Sequence, residues 1–281
     1  MRIRVAHLYP NYLNIYADRG NIAVFERRAS LRGHALDVTA VEPGDPLDPS
    51  AFDLVYVGGG QDREQALVAP DLALRGDALR SAVAGGTALL AVCGGYQLLG
   101  RGYRGRDGSW LAGAGIFPLE TAAGEKRLIG NVLLEVELDG KRVTVAGFEN
   151  HAGRTLLDPG ATALGRVLAG HGNDGSSGFE GCRVHAAIGT YLHGPLLPRN
   201  PVLADWLLAR ALEHAGGDGV LEPLGDELER VAHAVAAGRA RSGSGRLAIR
   251  DVRPGARAAW RSARPRDPPR GDTALRLQHF V

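Results

Sequence analysis

Residues 87–100, Thr-Ala-Leu-Leu-Ala-Val-Cys-Gly-Gly-Tyr-Gln-Leu-Leu-Gly, run an apolar stretch straight into a cysteine and two glycines. The stretch over 89–92 is too short for a helix and reads as a strand buried on both faces, the kind that parallel sheets are built from. Residues 96–99 can start a helix immediately afterwards, so Cys93 falls on a sharp strand-to-helix turn. Backbone N–H groups at a helix start favour thiolate over thiol, which is how a cysteine becomes a nucleophile near neutral pH. Gly94 and Gly95 remove side chains that would block approach to the sulfur. The Gly-x-Ser-x-Gly elbow follows the same logic, although here the glycines come after the nucleophile and Ala91 stands two residues before it. Inert packing is the alternative, since free cysteine is among the most buried residue types.

The rest of the chain supplies a setting for such a turn. A strand is expected over 2–8, a turn-rich loop over 9–20, and a helix to about residue 31 with Ile22, Phe25 and Ala29 on one face and Gly33 beyond its end. Strands follow over 34–41 and 52–57; the latter enters a glycine loop at 58–60 that opens one helix over 62–83. Strands alternating with helices at this spacing specify an α/β fold with a mostly parallel sheet covered by helices on both faces, and such sheets bind ligands at the carboxyl ends of their strands. Residues 133–138 and 141–146 flank Asp139-Gly140, which predicts an antiparallel hairpin added to that sheet and making it mixed. A strand over 184–192 ends at His193. Asn200 then caps a helix with Pro201 at its first position, Leu203, Trp206, Leu207 and Ala211 as its buried stripe, and Gly216-Gly217 at its end. One more helix is expected over 225–237.

Composition matters mainly in the last forty residues. The net charge of +2 hides ten arginines against Asp251, Asp267 and Asp272 over 241–281, so the remainder carries −5. The tail has no apolar periodicity, and its proline-rich, polar sequence cannot repay the entropy of ordering. The expected organisation is therefore one domain over 1–238 and a basic, disordered tail over 239–281. An acidic body with no aromatic or helical platform beneath its basic charge does not suggest a nucleic-acid-binding domain. The longest apolar runs fall far short of the roughly 20 residues needed to cross a bilayer, and no signal-peptide stretch stands at the N-terminus, so a cytoplasmic location is expected. Cys93 and Cys182 form no disulfide framework and no metal-ligand spacing; Cys182 reads as structural and no metal site is expected.

A cysteine nucleophile needs a base. His193 closes a strand that the parallel-sheet reading places on the same edge as Cys93, whereas His34, His214 and His233 lie where surface or helix-face readings suffice. Backbone N–H groups of Gly59, Gly60 and Gly94 are placed to converge on a developing oxyanion beside Cys93, although a tight strand-to-helix turn would by itself explain three glycines.

Four ordered segments then resemble one family. They are 54–65 (Leu-Val-Tyr-Val-Gly-Gly-Gly-Gln-Asp-Arg-Glu-Gln), 92–100, 147–155 (Gly-Phe-Glu-Asn-His-Ala-Gly-Arg-Thr) and 189–201 (Gly-Thr-Tyr-Leu-His-Gly-Pro-Leu-Leu-Pro-Arg-Asn-Pro). Together they resemble a class I glutamine amidotransferase of the cobyric-acid-synthase-like (CobB/CobQ-type) branch over about residues 1–215, with most likeness to glutaminase subunits that serve peptidoglycan amidation. The resemblance implies a flavodoxin-like fold and hydrolysis of glutamine through a thioester on Cys93, with His193 as base and later acid and residues 58–60 as the oxyanion loop. It implies that Arg127 contacts the substrate, as a guanidinium suited to a carboxylate; the bland reading is a solvated arginine in a polar loop. It further implies a heterodimer with a Mur-ligase-like (MurT-type) subunit that amidates the D-glutamate of lipid II. No cofactor is expected on this chain, and ATP and Mg are expected on the partner, because no Gly-x-x-x-x-Gly-Lys-[Ser/Thr] loop is present. The commoner pattern has a glutamate two residues after the histidine, where Pro195 stands here. The third catalytic residue is left open between Asp18, a turn-forming role for that Asp, and a carboxylate from the partner. The rival readings are a corrinoid (cobyrinate-type) amidation subunit and a non-catalytic interaction subunit that keeps the fold.

Overall fold

The structure is a computed structural model that describes residues 1–15 and 19–243. Asp18 and the tail beyond residue 243 lie outside the described residues, as do the expectations that fall on them. In chain order the elements are β1 (Arg2–Leu8), α1 (Arg19–Ser30), β2 (Ala35–Val41), β3 (Leu54–Val57), α2 (Asp62–Leu74), α3 (Gly76–Ala84), β4 (Ala88–Val92) and α4 (Gly94–Leu98). They continue with β5 (Gly102–Arg104), β6 (Trp110–Ala112), β7 (Leu119–Leu138), β8 (Lys141–Leu157), β9 (Gly165–Ala169), β10 (Phe179–Glu180), β11 (Cys182–Val184), β12 (Ala187–Thr190), α5 (Pro201–His214) and α6 (Glu227–Arg241).

Two six-stranded sheets organise these elements. The first has the order β11-β12-β4-β3-β1-β2, parallel throughout except for β11. Every residue of β3, β4 and β12 is buried, as expected for strands covered on both faces. Counting β12 as the fifth parallel strand, the order is the flavodoxin-like 2-1-3-4-5. Residues 58–60, Cys93 and His193 therefore leave the carboxyl ends of three adjacent strands.

The second sheet is where the structure departs from expectation. The hairpin at Asp139-Gly140 forms, with φ of 48° and 74° at its two central residues, the left-handed pair that a tight two-residue turn requires. Its strands, however, are 20 and 17 residues long, and they belong not to the parallel sheet but to a separate one in which β7 also pairs with β5 and β9. Other corrections are local. The single helix expected over 62–83 is two, broken at Arg75, because Gly76 passes so close to Ala114 that a Cβ would sit 2.6 Å from its carbonyl oxygen. The single strand expected over 184–192 is β11 and β12, reversed at His185 with φ of 50°. Asn200 is the residue before α5, but its side chain makes no cap; it accepts from Ala146 N–H (2.9 Å) and donates to the carbonyls of Ala146 (2.8 Å) and Leu196 (2.7 Å), clipping β8 to the start of α5. Helix α6 begins at Glu227 and runs to Arg241, past the boundary expected at 238, because Ala236, Ala237 and Ala240 pack on Leu133 and Ala146 of the second sheet. No helix among the described residues is long and apolar enough to cross a membrane.

Candidate active site

Cys93 has φ of 49° and ψ of −104°, a backbone conformation that a residue with a Cβ holds only when its surroundings impose it. The imposing contacts are visible. The Cys93 N–H donates to Thr190 O of the neighbouring strand (2.8 Å), and Gln97 N–H returns to Cys93 O (3.0 Å). Gly95 N–H donates to Gly58 O (3.1 Å), drawing the loop after β3 onto the turn. A Cβ on Gly94 would lie 2.8 Å from Gly60 N, and one on Gly95 would lie 2.8 Å from Gly58 O, so both glycines are required by the close approach of these two backbones. Helix α4 has only five residues. Its effect on the sulfur is that of the nearest N–H groups, since the dipole contribution is confined to the first turn.

A cavity of about 740 Å³ opens beside this turn, lined among others by Cys93, Gly60, Gln97, Arg127, Asn150 and His151. Arg127 stands on β7 where its register with β8 shifts between Ala123 and Leu128. The segment read as a polar loop is thus a bulged strand, which is a common way to aim a side chain. Arg106 bonds the carbonyls of Gly124 and Glu125, and Arg154 bonds that of Lys126 (2.8 Å), holding the bulge. The Arg127 guanidinium donates to the Asn150 side-chain oxygen and to its carbonyl, both at 2.7 Å, which fixes the plane of the fork in the cavity wall.

His193 is almost fully buried and does not line the cavity. Its N–H donates to Phe148 O (2.8 Å), and a Cβ on Gly147 would sit 2.6 Å from the Leu192 side chain, so the Gly147-Phe148 step lets β8 close over the histidine segment. Burial pushes the His193 imidazole down to about 3, with the charges of His151 and Arg127 adding to the effect. It is therefore the neutral, proton-accepting form at neutral pH. Pro195 packs against Gly20 at the start of α1.

Of the residues expected at a site, Cys93, Gly60 and Arg127 share one cavity, and Gly94 lies against Gly60 in the wall of that turn. Gly59 accepts from Ile15 N–H (3.1 Å) in the same loop. Thr190 pairs with Val92, so Cys93 and His193 follow the ends of two neighbouring strands. Sequence reasoning did not single out Asn150, His151 or Gln97. His151 stacks on Tyr191 with ring centres 3.5 Å apart, and Gln97 donates to the Tyr191 hydroxyl (3.0 Å). The signal was present for the first two, which stand beside Glu149 in the 147–155 segment.

An α/β sheet of this order, presenting a strained cysteine turn and a buried histidine from adjacent strands, is the architecture of a glutamine amidotransferase, and the chain matches the CobB/CobQ-like glutamine amidotransferase domain over residues 4–201. It belongs to that family and is a glutamine amidotransferase. Among its relatives is the lipid II isoglutaminyl synthase (glutamine-hydrolyzing) subunit GatD of Staphylococcus aureus, 38% identical over 214 residues, covering 76% of this chain and 86% of the relative. The subunit of the same description from Streptococcus pneumoniae is 35% identical, with 81% and 87% covered. A cobyric acid synthase of Synechococcus is 33% identical over 72% of this chain, but over only 38% of its own length.

Proposed function

We propose that the chain is the glutaminase subunit of a lipid II isoglutaminyl synthase. The observation that carries this reading is co-extensive similarity to the two GatD subunits, against a match to little more than a third of the cobyric acid synthase. The cobyric acid synthase extends well beyond the part that this chain matches.

In this reading the Cys93 sulfur attacks the carboxamide carbon of glutamine, and the oxyanion that forms is met by the N–H groups of Gly59, Gly60 and Gly94. His193 takes the thiol proton and gives it to the departing nitrogen, so that ammonia leaves and a glutamyl thioester remains. Water attacks the thioester, its proton passing to His193 and then back to the sulfur as glutamate is released. Arg127 holds the substrate α-carboxylate with the guanidinium edge that Asn150 leaves over. Burial disfavours the imidazolium that both steps create, so a carboxylate should approach His193 when the enzyme works. Asp18 and a residue of the partner are the candidates. The non-catalytic alternative leaves the strained backbone of Cys93 without a use.

Amide formation from a carboxylate in water needs activation, which we assign to a Mur-ligase-like (MurT-type) partner carrying ATP and Mg. The partner would receive ammonia and amidate the D-glutamate of the lipid II stem peptide to D-isoglutamine in the cytoplasm. The test mixes chain, partner, lipid II, ATP and glutamine and follows amidated lipid II by mass spectrometry with each component omitted in turn. Amidation requiring all five is expected. Amidation without the partner would remove the division of labour, and none in the full mixture would remove the acceptor.

A further inference from the structure

Two residues separate β12 from His193, and with Thr190, the last residue of β12, they form a segment tied directly or through Thr190 to one buried carboxyl group. Thr190 Oγ1 lies 3.1 and 3.0 Å from the two oxygens of Glu180. Tyr191 N–H donates to Glu180 Oε1 (2.6 Å), and Leu192 N–H donates to Thr190 Oγ1 (3.1 Å). The same Thr190 carries the carbonyl that accepts the Cys93 N–H (2.8 Å). Glu180 is the last residue of β10 in the second sheet, and Gly181, with φ of 67° and a Cβ position only 2.6 Å from Gly189 O, carries the chain across to β11 of the first. One carboxyl group thus reaches from the second sheet to the point where the nucleophile strand and the histidine segment part.

We infer that Glu180 is a positioning residue for the glutaminase reaction, holding the Thr190–Leu192 segment so that Cys93 and His193 keep their mutual placement. This rests on the assignment of those two residues as nucleophile and base. Glu180 is not among the residues that line the cavity beside Cys93. Around it, Tyr96 faces it from α4, Glu149 acts on it from β8, Tyr191 bonds it from just past β12, and Cys182 lies two residues on in β11. Burial, together with Glu149, pushes the Glu180 carboxyl up to about 8. The neutral acid is then the working form, and ionisation at higher pH places a negative charge beside the segment it holds.

The experiment measures glutamate release by the full chain carrying Glu180→Ala or Glu180→Gln, from pH 6 to pH 10, with Cys93→Ser in parallel. Glu180→Ala should lose about 10²-fold in kcat, the scale of a misplaced catalytic group, with KM for glutamine unchanged because Arg127 and the cavity are untouched. Glu180→Gln, a permanently neutral mimic, should keep most of the neutral-pH kcat and lose the fall in activity expected of the unmodified chain through about pH 8. Where the alanine variant does not fold, the glutamine variant carries the test. A variant that is only less heat-stable, with kcat and pH profile unchanged, overturns the inference; so does an alkaline fall that survives in Glu180→Gln. Full activity in Cys93→Ser would instead remove the nucleophile assignment, a separate failure.

Discussion

The two sheets contribute to the site in different ways. The centre of the parallel sheet is closed: β3, β4 and β12 expose nothing, and the groups they deliver, residues 58–60, Cys93 and His193, are set by strand pairing and by backbone bonds at strand ends. The second sheet is longer, bulged and polar, and delivers Arg127, Asn150 and His151 from side chains that are braced by other side chains. A difference in labour follows. Groups fixed by a buried backbone should act on the chemical step, and groups presented by a bulged, partly wet strand should act on how substrate is held.

Substitution can break that division. The largest effect is expected in the first sheet: Cys93→Ser and His193→Ala should each lower kcat by about 10⁴-fold or more, and the double variant should be little worse than either, because such groups act as a unit. Additive losses in steady-state kinetics would separate the two residues. In the second sheet, Arg127→Ala should raise KM about 10- to 150-fold, corresponding to the roughly 1.5–3 kcal/mol of a charge-assisted contact, with kcat nearly kept. An unchanged KM would place the guanidinium outside the substrate site and erase the contrast.

Smaller effects probe the seam. Asn200→Ala leaves the buried Ala146 N–H and two carbonyls without partners and should destabilise by about 2 kcal/mol, or roughly 4–8 °C in Tm for a domain of this size, while glutaminase activity in the folded fraction persists. A Tm within a degree of the parent would mean that water replaces the amide. The weakest effect is on pH. Burial lowers His193 to about 3 and, with Arg19 adding, His7 to about 4, both below the ordinary imidazole value of 6.5. The unfolded chain therefore binds more protons between those values. Stability contributed by both groups is complete above about 6.5 and is lost as pH falls toward 4 and then 3. Thermal melts across this range should show it, and His7→Gln should flatten the upper part.

Much of the first sheet was legible. An all-apolar run can be buried on both faces only in a covered strand, and a cysteine with two glycines at its end leaves few ways to turn. The second sheet was not, because β7 and β8 mix exposed and buried positions, and the period that marks a strand is broken by the bulge before Leu128. The division at Arg75 was hidden for another reason: it is decided by Ala114, which lies far along the chain. Asn200 reads as a cap from its place before Pro201, yet its amide is claimed by Ala146, 54 residues away.

The residue types at Cys93, Gly94, Gly95, Asp139-Gly140 and His193 were sufficient by themselves to determine the turn, the hairpin and the chemistry that a thiol and an imidazole make available, since each depends on neighbours within a few positions. Tertiary structure alone decided that the hairpin builds its own sheet, that a bulged strand brings Arg127 to the cavity of Cys93, and that Glu180 is tied to the segment before His193. Those outcomes depend on contacts between residues far apart in the chain, whose free energies are settled by burial and hydrogen-bond geometry that no local pattern encodes.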